Sequence, residues 1–330
     1  MIKYFFASAL WLVCITPLLA QKSGKGVLAP KPLFVDSIYQ GAADPVIVWN
    51  NAKKKWYMFY TNRRANVPGL DGVTWVHGTR IGIAESKDGA HWKYVDTANI
   101  QYRPVADYTH WAPEVMEYKG VYHMYLTYVP GVFTDWKHPR DIVHLTSSDL
   151  INWKFESKLK LASERVIDAC VMQLPAGGWR MWYNNEMDKK SIYYADSPDL
   201  FNWTDKGKAV GDRGGEGPKV FKWKDYYWMV VDNWAGLGVY RSKDLLQWEK
   251  QDKRILETPG TGEGDKEIGQ HPDVQVYNGR AYIYYFVHPY KSGTDNFLKR
   301  QSLIQVAELK FENGWIACNR DEPAMVSMKH

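Results

Sequence analysis

Five short stretches of the chain set a carboxylate or an imidazole just ahead of a strand-like run: GAADPVIV, HWAPEV, RVIDACV, GGEGPKV and GQHPDV. The side chains concerned are Asp44, Glu114, Asp168, Glu216 and His271. Taken singly, each is a polar residue in a turn. Brought into one funnel, such carboxylates suit the hydrolysis of a glycosidic bond. That reaction needs one protonated acid and one ionised base on opposite sides of the scissile bond. Carboxyl groups crowded together also push their pKa values apart, because like charges at close range cannot both ionise cheaply. A third carboxylate beside the acid therefore keeps it protonated near neutral pH. The competing reading is that inward acids hold a structural cation in a channel or are solvated turn residues. For one acid that reading prevails, and for three or more at equivalent positions catalysis does.

Residues so far apart share a funnel only if the fold repeats, and the sequence does repeat. SKDGAHW, SSDLINW, SPDLFNW and SKDLLQW are variants of one heptapeptide, with tryptophans at 92, 153, 203 and 248. Each follows a strand-like run (RIGIAE, DIVHLT, SIYYAD, LGVYR), and an aromatic run lies further upstream (KWYMFYT, VYHMYLTYV, WRMWYNN, YYWMVVDNW). Ser, Asp and Gly clusters punctuate these runs, and long helical periodicity is missing. A unit of three or four short strands recurring every 45 to 61 residues predicts an all-β, five-bladed β-propeller. The polar residues that open the five units are expected at the same point of each innermost strand. The heptapeptide is expected to be structural, its Asp capping a turn and its Trp packing between blades.

Composition narrows the classes of partner. Residues 1–20, MIKYFFASALWLVCITPLLA, carry a lysine, a short apolar run and small residues. They read as a secretory signal peptide rather than a membrane span, giving a secreted or periplasmic protein. Residues 21–38 read as an N-terminal extension and 39–330 as the propeller. No later stretch is apolar enough to cross a bilayer. Loss of Lys3 with the signal takes the net charge from +5 to +4, spread without a basic run, which argues against nucleic acid. Cys170 and Cys318 remain, enough for one disulfide but not for a disulfide framework. The 16 Trp and 22 Tyr supply core and, where exposed, faces that pack on sugar rings.

On these motifs the chain resembles the five-bladed glycoside hydrolases of family 43 and their relatives, over residues 39 to about 312. The resemblance implies a base at Asp44 in the D-P turn of blade one. It implies a pKa-tuning aspartate at Asp168 in the I-D stretch of blade three, and the general acid at Glu216 in E-G-P of blade four. HWAPEV matches the characteristic opening of blade two. In blade five His271 matches a histidine that often holds a calcium ion through water, so Ca2+ at the propeller centre is expected by resemblance, and a channel histidine without metal is the equal rival. The mechanism implied is inversion. Related retaining propellers that act on fructans carry R-D-P and E-C sequences where this chain has I-D-A and E-G-P. An exo action on α-L-arabinofuranosides, β-D-xylosides or galactosides of a polysaccharide follows from the resemblance. A carbohydrate-binding propeller without catalysis and a retaining fructan hydrolase are the alternatives.

Specificity is expected from loops at the channel mouth. The insertion TNRRANVPGLDGVTWVHGTR (61–80) offers Arg63, Arg64, Trp75 and His77, with a surface ion pair as the other use of its arginines. His110 and Trp111 open blade two, where Trp111 is either a sugar platform or blade packing. The insertion 129–141 adds Trp136. Asn184, Asn185 and Glu186 follow the aromatic run of blade three, and Asp232, Asn233 and Trp234 that of blade four. The substrate-binding set read from sequence is thus Arg63, Trp75, His77, His110, Trp111, Glu114, Asn185, Trp234 and His271.

Overall fold

A computed structural model describes residues 26–291 and 296–328, so the signal peptide expected at 1–20 lies outside the described residues. Five antiparallel sheets follow one another along the chain and close into a ring, the predicted five-bladed propeller. Their innermost strands are Ala42–Asn50, Thr109–Tyr118, Val166–Gln173, Glu216–Trp223 and Gln270–Tyr277. Each pairs with an aromatic second strand: Lys55–Asn62, Val121–Val129, Trp179–Asn185, Tyr226–Asp232 and Arg280–Val287. Third and fourth strands complete every blade. Blade two gains a short fifth strand, Asn99–Ile100, parallel to Asn152–Lys158.

The second strands read as aromatic runs because both of their faces are buried. In KWYMFYTN, Trp56, Met58 and Tyr60 pack toward blade five, while Tyr57 and Phe59 pack toward blade two. Side chains alternate across a strand, so a blade between two neighbours needs apolar residues at both parities. The core is accordingly a set of layers between adjacent blades rather than one central cluster.

The heptapeptide forms the outer turn of blades one to four. In each copy the Ser hydroxyl oxygen accepts two backbone N–H groups, and one carboxylate oxygen of the Asp accepts the next two. Each Trp then meets an aromatic ring of the neighbouring blade: Trp92 with Tyr284, Trp153 with Phe59, Trp203 with Tyr125 and Trp248 with Trp182. Turn cap and inter-blade wedge are both realised.

Ring closure joins blades five and one through the chain ends. Val27–Leu28 pairs with Met325–Val326, and the N–H groups of Leu33 and Phe34 donate to the Ile304 carbonyl. From residue 26 onward, the segment read as an extension thus packs into the ring. No helix among the described residues is long and apolar enough to cross a membrane. Cys170 and Cys318 are both free thiols, the first on the inner strand of blade three and the second on the outer strand of blade five.

Candidate active site

Every inner strand carries a β-bulge near its start, between Ala43 and Val46, Trp111 and Glu114, Ile167 and Cys170, Glu216 and Lys219, and Gln270 and Asp273. A bulge re-aims a side chain and leaves one residue unpaired. At all five, one residue sits at positive φ: Asp44 (53°), Ala112 (39°), Asp168 (60°), Gly217 (55°) and His271 (33°). Four of these are not glycine, a conformation that costs of order 1–3 kcal/mol per residue. The equivalent set therefore differs from the sequence expectation. Asp44, Asp168 and His271 share the bulge position, whereas Glu216 precedes its bulge residue and Glu114 follows its own by two. Gly217 is required twice over. It adopts positive φ, and a Cβ there would lie 2.7 Å from the His271 ring.

Asp44, Asp168 and Glu216 come together in one cavity of about 510 Å³, which His271 also lines. Their side chains are 6%, 6% and 25% exposed, so Glu216 is the one that reaches furthest into the opening. Burial alone would raise the Asp44 pKa. Arg63, whose Nη2 lies 3.1 Å from Asp44 Oδ1, and His271, whose Nδ1 lies 3.4 Å away, outweigh it and hold this carboxyl below its ordinary value. Asp168 goes the other way. Burial, then the charges of Glu216 and Asp44, push it well above the ordinary range. Its Oδ2 accepts the N–H of Gly217 at 3.0 Å, which fixes it beside the backbone that carries Glu216.

A fourth carboxyl completes the group. Asp232 pairs across the strands with Glu216 and is fully buried. It accepts the N–H groups of Trp234 at 2.7 Å and His271 at 3.1 Å. Burial and the Glu216 charge push it up to about 7. His271 is itself held below its ordinary value by burial, in spite of the opposing charges of Asp44 and Glu216. A carboxyl held low, Asp44, thus stands in the same cavity as one held high, Asp168, with the raised Asp232 behind Glu216, and acid–base chemistry on an acetal requires such a contrast.

The walls are aromatic and cationic. Trp75, Trp111, Trp136, Trp234 and Phe286 line the cavity, as do Arg63, Arg140, Arg165 and Lys190. Glu186 gathers three of these cations, with Arg140 Nε at 3.0 Å, Lys190 Nζ at 3.3 Å and Arg165 Nη2 at 3.6 Å. Lys190 also stands 3.9 Å from Glu216 and 4.6 Å from the Trp234 ring centroid. Arg63 lies over the Phe286 ring and contacts His288 Nε2 at 3.3 Å. Arg165, Lys190, Gln270, Phe286 and His288 carry no motif that would single them out, and Arg140 sits unmarked in the 129–141 insertion.

Four residues of the sequence-based binding set lie off the cavity wall. His77 stands behind Trp111, ring centroids 4.9 Å apart, with burial lowering it to about 4. His110 points to the opposite face of its strand from Trp111, between Tyr108 and Tyr128, and burial takes it down to about 3. Asn185 ties a turn, its Oδ1 accepting the Ser163 hydroxyl at 2.7 Å and the Met187 N–H at 3.2 Å. Glu114 turns inward below the cavity, onto Lys219. Other polar candidates brace loops. Arg64 donates to the His77 and Thr74 carbonyls, Asn184 to that of Gly215 and Asn233 to that of Gly214. The last two secure the glycine turn in front of Glu216.

A family model described as glycosyl hydrolases family 43 matches residues 37–233. Among solved structures, a thermostable family-43 glycoside hydrolase aligns with a TM-score of 0.68 at 18% identity, covering 92% of this chain and 98% of the other. An exo-1,5-α-L-arabinanase from a bovine ruminal metagenomic library aligns with a TM-score of 0.59 at 16% identity, covering 84% and 97%. CoXyl43, a β-xylosidase/α-arabinofuranosidase from a compost microbial metagenome, solved with xylotriose in a calcium-free form, aligns at 0.63 and 16%, covering 88% and 97%. No curated protein matches the chain.

Proposed function

The chain belongs to glycosyl hydrolases family 43, and from that premise we propose that it is an exported enzyme that removes terminal sugars from a polysaccharide by inversion, with Asp44 as base and Glu216 as acid. The observation that carries this reading is the opposed electrostatics within one cavity. Arg63 and His271 keep Asp44 ionised, while Asp168 and Asp232 crowd the position of Glu216.

In the proposed reaction a water held by Asp44 loses its proton to that carboxylate as its oxygen attacks the anomeric carbon. Glu216 gives its proton to the departing glycosidic oxygen. Asp168, bonded to the Gly217 N–H, fixes the turn on which Glu216 stands. Inversion requires the two working carboxyls to stand roughly 6.5–9.5 Å apart, leaving room for the water. Sugar faces would stack on Trp75, Trp111 and Trp234, and a loop-rimmed cavity of this size suits exo action. The substrates we favour are α-L-arabinofuranosides, then β-D-xylosides, then galactosides. The names of the arabinanase and the xylosidase/arabinofuranosidase that share this fold support that order.

The test is a panel of aryl glycosides and plant glycans, with the first-formed anomer followed by proton NMR. An inverted product is expected. A retained anomer would assign Asp44 as a nucleophile instead, as in the fructan-cleaving propellers. No turnover on any glycan, together with saturable glycan binding, would make the cavity a binding site only.

A further inference from the structure

Two residues past the positive-φ position, each inner strand resumes its pairing, and the residues there are Val46, Glu114, Cys170, Lys219 and Asp273. Three of the five are charged, and they meet below the catalytic floor. Lys219 Nζ lies 3.0 Å from Glu114 Oε2 and 2.7 Å from Asp273 Oδ1, with the three side chains 13%, 7% and 1% exposed. The contacts then run on around the ring. Glu114 Oε1 accepts the N–H of Val171 in blade three, and the N–H of Val220 in blade four donates to Cys170 Sγ at 3.2 Å. Asp273 Oδ2 accepts the N–H of Ile47 in blade one at 3.1 Å. All five blades are tied together at this level.

We propose that the ammonium of Lys219 is the resident cation of the propeller axis, occupying from within the chain the place between Glu114 and Asp273 that a Ca2+ ion would otherwise fill. Calcium takes six to eight oxygen ligands at about 2.3–2.6 Å. Here the two anionic oxygens that could serve are both turned onto a nitrogen that can only donate. A divalent ion brought between them would face a positive charge at bonding distance. The donor set at the axis therefore does not fit calcium. His271, the residue through which a metal was expected, instead has its Nδ1 directed at Asp44 and Asp168. The arrangement also meets the rule for buried charge, which is tolerated when paired and strongly destabilising when one partner is removed. Lys219 is held well above its ordinary pKa by Asp273 and Glu114 against the opposing effect of burial, so it stays charged.

The test reads stability and metal content, which do not depend on knowing the substrate. Wild-type protein is equilibrated with millimolar Ca2+ and freed of unbound ion by gel filtration in metal-free buffer, and its metal content is measured by mass spectrometry. Its Tm is then recorded with millimolar Ca2+ and with EDTA. The expected result is no stoichiometric calcium and one Tm in both conditions. Lys219→Ala exposes the two carboxylates to each other, so its Tm should be lower in EDTA and rise with added Ca2+, with Tb3+ luminescence reporting the new site. Lys219→Met, which keeps the bulk, should show the same dependence to a smaller degree. One calcium per wild-type chain, or a wild-type Tm that falls in EDTA, would overturn the proposal. So would a folded Lys219→Ala protein indifferent to Ca2+. If neither variant folds, the wild-type measurement decides alone.

Discussion

The outer turns and the inner bulges of this propeller use the same residue type to opposite ends. Asp149 and Asp199 stand in outer turns of blades two and three, and each accepts the backbone N–H groups of the residues two and three further on. For Asp149 burial works upward, yet those bonds and the Asn152 amide bring it to about 2. For Asp199 the N–H and amide of Asn202 lead to the same value, about 2. Asp168 and Asp232 at the inner end are buried beside Glu216 and rise, Asp232 to about 7. The difference lies in the surroundings. An aspartate given several donors, water and no like charge nearby is a structural cap. One given burial and two acidic neighbours becomes a group that holds protons.

The largest test of that contrast is catalytic. Glu216→Gln and Asp44→Asn are expected to lower kcat/KM by roughly 10²–10⁴-fold while leaving Tm near wild type, whereas Asp199→Asn should leave kcat/KM unchanged. Near-normal turnover in either inner variant would show that the roles are misassigned. Asp168→Asn comes next. Asp168 holds its proton well above the ordinary carboxyl range, so the amide removes a titrating group from the site, and activity should fall while the pH–rate profile changes shape. A profile of unchanged shape would reduce Asp168 to a backbone tether.

The smallest effect is on stability, and its sign is the point. Asp232 binds its proton more tightly folded than unfolded, so wild-type stability falls as pH rises from about 4 through about 7. Asp232→Asn removes that loss, and its Tm relative to wild type should climb across the same interval. Asp199 binds its proton less tightly when folded, so its contribution is present above about 4 and fades as pH falls toward 2. Asp199→Asn should therefore be a few degrees less stable at neutral pH and converge with wild type in acid. Thermal melts of both variants across pH measure this, and parallel pH dependences would erase the distinction between the two sets.

Blades, turn caps and wedge tryptophans were legible because they repeat. Four heptapeptides and five strand pairs carry the same physical requirement four or five times over. Asp44, Asp168 and His271 were legible for a related reason, since each is the bulge residue of its strand. Glu114 was misplaced because W-A-P-E puts its acid two positions beyond Ala112, the bulge residue, and a short slip along a strand changes where a side chain points. His77, His110 and Asn185 look as polar as Arg63 and lie as near a strand end. Only the path of each loop and the parity of each strand send Arg63 into the cavity and the other three behind it. Glu186 and Lys190 are four residues apart in one turn, but their meeting with Arg140 of the 129–141 insertion leaves no trace in either neighbourhood.

What the sequence determined by itself was the architecture, because alternation, aromatic runs and turn capping are local demands met within each unit of chain. What the tertiary structure alone decided was protonation. Whether Asp44 is charged, whether Asp168 resists ionising and whether the axis is held by Lys219 all depend on charges contributed by blades far apart in sequence. Coulomb energy depends on separation in space and on the dielectric between the groups, and neither can be read along a chain.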